Sequence, residues 1–279
     1  MKFEKVKVDF VFVILVYRNF VDLKECIISI KKRLKNFDII IVNAFFDKES
    51  EKQIKDIADY YSCRFISIEN KGYSFGNNVG IRYAYDKYDF KYVIISNPDV
   101  VIQSFGDNVK KCTADIIAPL IITPSGKYQN PMIAQKCSLS ELLIYIGFKR
   151  NNKFLFLLGV FINRVLREIN LLVMNILSYD SMAIYAAHGS FVILSKYLIE
   201  KMELNVYDNN IFLFSEENVL AEKAKALGAK TVYLPSVRIL HKEDGSMNLS
   251  NFSVNNELAK SNIYVYENYL KKKFRSKEK

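Results

Sequence analysis

The sequence has no tryptophan, only two histidines, and four cysteines standing far apart at Cys26, Cys63, Cys112 and Cys137. No C-x-x-C pair occurs among them, so the ligand set of a structural zinc cage is missing. Scattered single cysteines fit a reducing compartment. Long uninterrupted apolar runs are missing too. Phe10–Val16 is too short to span a bilayer and no small-residue cleavage site follows it. It therefore reads as a buried strand, and the protein is expected in the cytoplasm. Zinc-finger, RNP-like and helix-turn-helix patterns are also absent, so the net charge of +10 is not taken as a sign of nucleic-acid binding. Much of that excess sits around residues 149–153 and in the tail Lys271-Lys272-Lys273-Phe274-Arg275, where a solvated basic tail explains it.

What is present is enough to build a core. Half of the 279 residues are apolar, which fits one large domain or a domain with a sizeable insertion. Residues 8–16 have the β-rich apolar pattern of a strand buried on both faces, and 38–42, 64–68 and 91–96 read as further strands. Helical periods lie between them, over Leu23, Ile27, Ile30 and Leu34, then over 48–60 and 75–87. Alternating strands and helices imply right-handed crossovers and parallel pairing. Ligands of such sheets bind beyond the carboxyl ends of the strands, which points to the loops after Val16, Val42, Ile68 and Ser96. Further along, 116–122, 190–195 and 230–240 read as strands, 139–178 as helical and 216–227 as a helix.

Those loops carry unusual polar residues. Asn70-Lys-Gly72-Tyr-Ser-Phe-Gly76-Asn77-Asn78-Val-Gly80 suits a sharp turn that opens a helix. Two readings stand side by side: amides facing a diphosphate, or a tight turn with ordinary capping. Asn97-Pro98-Asp99 puts an acid at the end of a central strand, where an oxygen ligand can hold Mg²⁺ or Mn²⁺; a turn aspartate is the plainer reading. Glu216-Glu217 opens a helix after Phe212-Leu-Phe214. Burial and like charge would raise a carboxyl pKa toward that of a general base, whereas stabilising the helix start is the simpler role. His241 follows a strand directly and reads as a metal ligand or an ordinary capped side chain.

The order of these motifs resembles family 2 glycosyltransferases, especially rhamnosyltransferase-like enzymes of capsule and O-antigen synthesis. The series is Tyr17-Arg18-Asn19, Asn43, Asn70-x-Gly72 with Gly76-Asn77-Asn78, Asn97-Pro98-Asp99, His188-Gly189-Ser190-Phe191, Phe212 to Leu220, and His241 with Gly245-Ser246. The resemblance implies a GT-A fold, a Rossmann-like mixed sheet flanked by helices. Its domain would cover 1–246, with a helical insertion at about 136–180, and a C-terminal helix with a basic tail would follow over 247–279. It also implies that Tyr17, Asn19, Asn43, Asn70, Gly72, Gly76, Asn77 and Asn97 bind the nucleotide-sugar donor. Gly189, Ser190 and Glu216 would line the sugar and acceptor site. Asp99 and His241 would hold a divalent cation, Mn²⁺ or Mg²⁺, and Glu217 would be the base of an inverting transfer to a glycan or lipid-linked acceptor.

Two departures bear on that expectation. Asn43-Ala44 stands where the family usually has Asp-Asn, and Asn97 replaces an acid found in many DxD motifs. A catalytically idle nucleotide- or glycan-binding relative is therefore the alternative. A nucleotidyltransferase would need a basic, glycine-rich loop after the first strand, which Tyr17-Arg18-Asn19 does not supply. In the insertion, Arg164, Arg167 and Glu168 interrupt the apolar run 154–177, so it is not expected to cross a bilayer. Its broad apolar face, preceded by Lys149, Arg150 and Lys153, suits a helix lying in the inner face of the cell membrane, or else a core or homodimer helix.

Overall fold

The computed structural model describes residues 4–243 and 254–271. Gly245-Ser246 and the tail from Lys272 on lie outside the described residues. The first half contains β1 (Val6–Lys7), β2 (Phe10–Val16), α1 (Phe20–Arg33), β3 (Phe37–Phe45), α2 (Lys48–Tyr60), β4 (Arg64–Glu69), α3 (Tyr73–Lys87), β5 (Tyr88–Asp89) and β6 (Tyr92–Ser96). Then come β7 (Val100–Ser104), α4 (Asn108–Lys111), β8 (Ile116–Ile122), α5 (Ser138–Lys149) and α6 (Lys153–Ile176). The rest is β9 (Met182–Ala183), β10 (Phe191–Ser195), α7 (Lys196–Lys201), α8 (Glu216–Ala226), β11 (Thr231–His241) and α9 (Val254–Val265), which continues as a π-helical turn.

Eight strands form one sheet in the order β4-β3-β2-β6-β10-β8-β11-β7, with β9 paired to β11 as a ninth member. β2, β3, β4 and β6 run parallel, whereas β10 is antiparallel to both β6 and β8. The period of two in β2 explains why the sheet is buried on both sides. Phe10, Phe12 and Ile14 face the layer that holds Leu23, Ile27 and Ile30 of α1 and Ile54 of α2. Val11 and Val13 face the opposite layer, with Ile81 and Ala84 of α3 and Leu220 and Ala224 of α8. Each such fully buried large side chain stabilises the fold by about 1.5–3 kcal/mol relative to exposure.

The capping is local. Asn19 accepts the Asp22 amide at 3.3 Å to start α1, and Asp47 accepts the Ser50 amide at 2.8 Å to start α2. The stretch 139–178 is helical, as its pattern suggests, but in two pieces: Asn151 takes φ +50° and Asn152 caps a second helix, so α5 and α6 fold back as a hairpin. The short strand β7, which follows Asp99 directly, returns along β11 and brings His241 opposite Val100.

Candidate active site

A cleft of about 440 Å³ opens at the carboxyl ends of β2, β3, β4 and β6. All four loops singled out from the sequence contribute to its wall, through Tyr17, Ala44, Asn70 and Asn97. The far wall comes from the antiparallel half. Phe191 of β10 lies opposite Ser96, and the Asn97 amide donates to the Ser190 carbonyl at 2.8 Å. Gly189 and Ser190 are thereby fixed beside Asn97 and Asp99.

The pairing of β7 with β11 explains how Asp99 and His241, far apart in sequence, become neighbours. The Lys242 amide donates to the Asp99 carbonyl at 3.0 Å, and His241 Nε2 stands 3.4 Å from Asp99 Oδ1. Asp99 is buried, and that oxygen has no hydrogen-bond partner. Gln129 explains why. Its Nε2 donates to Glu243 at 2.9 Å, which leaves its Oε1 to accept from His241 Nδ1 at 2.7 Å. With Nδ1 donating to Gln129, Nε2 is the ring nitrogen that faces the orphaned Asp99 oxygen and can turn a lone pair toward a ligand there. Two facing acceptors in a buried position fit a cation between them, and an imidazole nitrogen with a carboxylate suits Mn²⁺ or Mg²⁺. Asp99 and His241 are a pair only: among the described residues no group of three or more His, Cys, Asp or Glu converges on a metal position.

The acids sit on another wall. Phe214 and Ser215 both take left-handed φ values, +70° and +65°, and this turn starts α8 with Glu216 and Glu217 at the cleft. The Gly189 amide donates to Glu217 Oε1 at 3.2 Å. Position 189 must be glycine for this approach, because a Cβ there would lie 2.9 Å from the same oxygen. Burial raises the Glu217 carboxyl, and the amides of Glu217 and Gly189 oppose the shift. Glu216 is more deeply placed, with Oε2 unpartnered; burial, and then the Glu217 charge, hold it well above the ordinary carboxylate range. Burial thus pushes both carboxyls up, Glu216 the further, while the Gly189 amide supports the charged form of Glu217.

Ten of the residues expected at the site line this cleft: Tyr17, Asn70, Gly72, Asn97, Asp99, Gly189, Ser190, Glu216, Glu217 and His241. Four do not. Asn19 caps α1 and borders a separate hollow with Asp47 and Gln53. Asn43 is buried within β3 and donates to Ser67 Oγ at 3.1 Å, with Ser67 bonded in turn to Glu51. Gly76 lies against Leu15, where a Cβ would meet a side-chain carbon at 2.4 Å, so it serves helix–strand packing. Asn77 is buried and donates back to the Tyr73 carbonyl at 3.0 Å.

The glycine loop also differs from a plain phosphate cradle. Gly72 has φ +93° and its amide donates to Asn70 Oδ1 at 3.2 Å, while the Tyr73 amide donates to the Phe212 carbonyl at 2.7 Å. These two amides are taken by protein acceptors. A Cβ at position 72 would lie 2.3 Å from the Phe212 oxygen, so the glycine lets the two loops cross in contact.

Sequence reasoning gave no role to Gln129, His188, Tyr73 or Asn78. The His188 ring is buried and accepts the Ser190 amide at Nδ1, 3.2 Å away, which leaves its Nε2–H as the donor. Burial, with His241 beside it, pushes His188 down to about 3. Tyr73 donates to the Gly189 carbonyl at 2.7 Å, and Asn78 clamps the 207–209 loop through the Tyr207 backbone and the Asn209 side chain. The motif His188-Gly189-Ser190 was a visible signal for the first of these. Gln129 had none, because its partner lies at the other end of the chain.

No family model matches the chain, and no curated protein does either. Solved structures do, and they establish the fold as GT-A. GalNAc-T7 with UDP, GalNAc and Mn²⁺ superposes with a TM-score of 0.62 at 15% identity, covering 93% of this chain and 48% of that one. S. aureus TarS gives 0.54 at 10% identity over 97% of this chain and 46% of its own length. The mannosyltransferase PcManGT from Pyrobaculum calidifontis, in complex with GDP-Man and Mn²⁺, gives 0.52 at 10% identity over 94% and 71%. The chain thus spans about half the length of the first two.

Proposed function

We propose that the protein is an inverting, metal-dependent glycosyltransferase that moves a hexosyl or deoxyhexosyl group from a nucleotide-sugar donor to a glycan or lipid-linked acceptor. The observation that carries this reading is a single cleft in which Glu217, held by the Gly189 amide, lines the same space as the orphaned Asp99 oxygen and the His241 lone pair. Mn²⁺ and a nucleotide or nucleotide sugar in structural neighbours of the same fold support it. So does TarS in complex with UDP-GlcNAc. The order of motifs supports a family 2, rhamnosyltransferase-like enzyme of surface polysaccharide synthesis.

In this mechanism Asp99 and His241 would hold a divalent cation, which would supply positive charge to offset the charge developing on the leaving diphosphate. Glu217 takes the proton of the acceptor hydroxyl while that oxygen forms its bond to the anomeric carbon. The bond from that carbon to the diphosphate breaks on the opposite face, and its electron pair leaves with the nucleotide diphosphate. Glu216, kept protonated, neither competes for the proton nor repels the donor. Asn70 and Asn97 present amides to the donor, and His188 Nε2–H adds a neutral donor in the cleft wall.

Glu217→Gln keeps the shape and removes the basicity. Transfer should fall by about a hundredfold or more, with donor affinity within a factor of about three in Mn²⁺. Screening a panel of nucleotide sugars by calorimetry, then measuring turnover, checks both halves. Asn43 favours the alternative, an idle binding relative, because its amide is engaged with Ser67 inside the sheet. Donor binding with no turnover in the wild type would establish that alternative.

A further inference from the structure

The α5–α6 hairpin carries a surface that the cleft does not use. α6 is 24 residues long, so it extends for about 36 Å. One of its faces packs on α5: Gly159 comes close to Ser140 and Ile144, and Ser140 Oγ donates to the Gly159 carbonyl at 2.8 Å. The other face has no cover among the described residues. Phe154 is 72% exposed, Phe161 61%, Leu172 59% and Ile176 69%, and Leu158 and Ile169 lie beside them. Residues 154, 161, 165 and 172 fall on one line of an α-helix, seven or four apart, so these side chains form a stripe, interrupted on the same line by Glu168, whose exposed carboxylate is paired with Arg167. Scattered exposed apolar residues are ordinary, but a stripe along the whole of a helix marks a contact surface.

The charges around the stripe select its occupant. Between residues 136 and 180 there are six basic side chains and three acidic ones. Lys136 and Lys149 are paired within the protein, and Arg167 is paired with Glu168. Arg150, Lys153 and Arg164 have no acidic partner among the described residues, and all three are exposed. Arg150 and Lys153 stand at the hairpin turn, and Arg164 lies along the margin of the stripe. A water-facing apolar helix edged with unpaired cations complements a surface that is apolar inside and anionic outside. No helix here is long and apolar enough to cross a membrane, and an interfacial helix does not need to be.

We propose that α6 docks in the plane of an anionic lipid surface, with Phe154, Phe161 and Leu172 inserted among the acyl chains and Arg150, Lys153 and Arg164 on the headgroups. The docking does not rest on the enzymatic reading. If that reading also holds, it brings the cleft to an acceptor carried in the same lipid layer.

The test uses the full chain with vesicles of phosphatidylcholine alone or of phosphatidylcholine with phosphatidylglycerol, read by co-sedimentation. At low salt, binding to the anionic vesicles should exceed that to the neutral ones by roughly tenfold or more, and most of that excess should vanish near 1 M salt, where the Debye length is about 3 Å. Combining Phe154→Ser, Phe161→Ser and Leu172→Ser should abolish binding to both vesicle types. Arg150→Glu with Lys153→Glu and Arg164→Glu should abolish only the anionic preference. Both variants alter exposed positions, so their melting temperature and their nucleotide-sugar affinity should match the wild type. No sedimentation at low salt overturns the proposal. So does a wild-type dimer in solution that the triple serine variant converts to monomer, since the stripe would then be covered by a second copy.

Discussion

At the scale of single residues, the carboxyl pair and the Gln129 amide yield the sharpest expectations. Glu216 is buried with one oxygen unpartnered, and its folded pKa is raised. A raised folded pKa means that the folded state keeps a proton which the unfolded chain has released. Stability from this group is therefore complete below about pH 4.3 and falls by roughly 1.4 kcal/mol per pH unit above it, until the folded pKa is passed. Glu216→Gln should leave stability unchanged near pH 4 and raise it progressively as the pH climbs above that. Parallel unfolding curves for both proteins across that range would show that the carboxyl is not held protonated. Gln129 lines the cleft and acts through His241: it sets which His241 nitrogen is bare. Gln129→Leu removes that control, and Mn²⁺-dependent donor binding should weaken by roughly 10–100-fold while metal-free binding stays put. Calorimetry with and without Mn²⁺ separates the two, and an unchanged Mn²⁺ dependence would remove Gln129 from the metal site. Neither role was legible beforehand. Adjacent glutamates announce themselves in sequence, but which of them a glycine amide from another loop supports does not.

Among the elements, the hairpin shows where pattern ran short. Leu, Ile and Phe dominate 139–178 so fully that the periodicity hides the reversal at Arg150-Asn151-Asn152. The local signal was there: two asparagines in succession, one tolerating a left-handed φ and the next capping a helix. The reversal depends on glycine for clearance, since a Cβ on Gly147 would meet the Phe156 amide nitrogen at 2.6 Å. Gly147→Val should therefore force α5 and α6 apart and lower stability by about 1–3 kcal/mol. Denaturant unfolding measures that loss, and donor affinity should survive it, because the hairpin is built outside the cleft. The strand β7 was missed for a different reason. Val100–Ser104 is five residues long and follows the turn of Asn97-Pro98-Asp99 without a break, so nothing in the run separates strand from loop. By contrast β2, β3 and α2 followed their sequence patterns closely, because each buries a complete periodic face.

For the whole molecule, the half that alternates strand with helix was readable because parallel pairing between successive elements follows from chain order. The half that interleaves β10, β8, β11 and β7 was not, because its order is set by which edges remain open rather than by neighbours in sequence. The same rule separates the site residues. Asp99, Glu217 and Gly189 stood in motifs, whereas Gly76 and Asn77 shared a motif with Gly72 yet turn into the helix–strand packing. A charged cluster ties the second half together: Lys136 and Tyr185 both bond Glu222 of α8, the helix that begins with the acidic pair. The sheet has one more consequence, for the time at which a newly made chain becomes competent. Among the described strands, β7 joins the sheet only through β11, and β11 is laid down after all the others. Synthesis proceeds from the amino terminus, so the ribosome exposes Asp99 long before His241. Until β11 slots between β8 and β7, the growing polypeptide holds the Asp99 side of the cleft without the His241 side, and the proposed cation position cannot close.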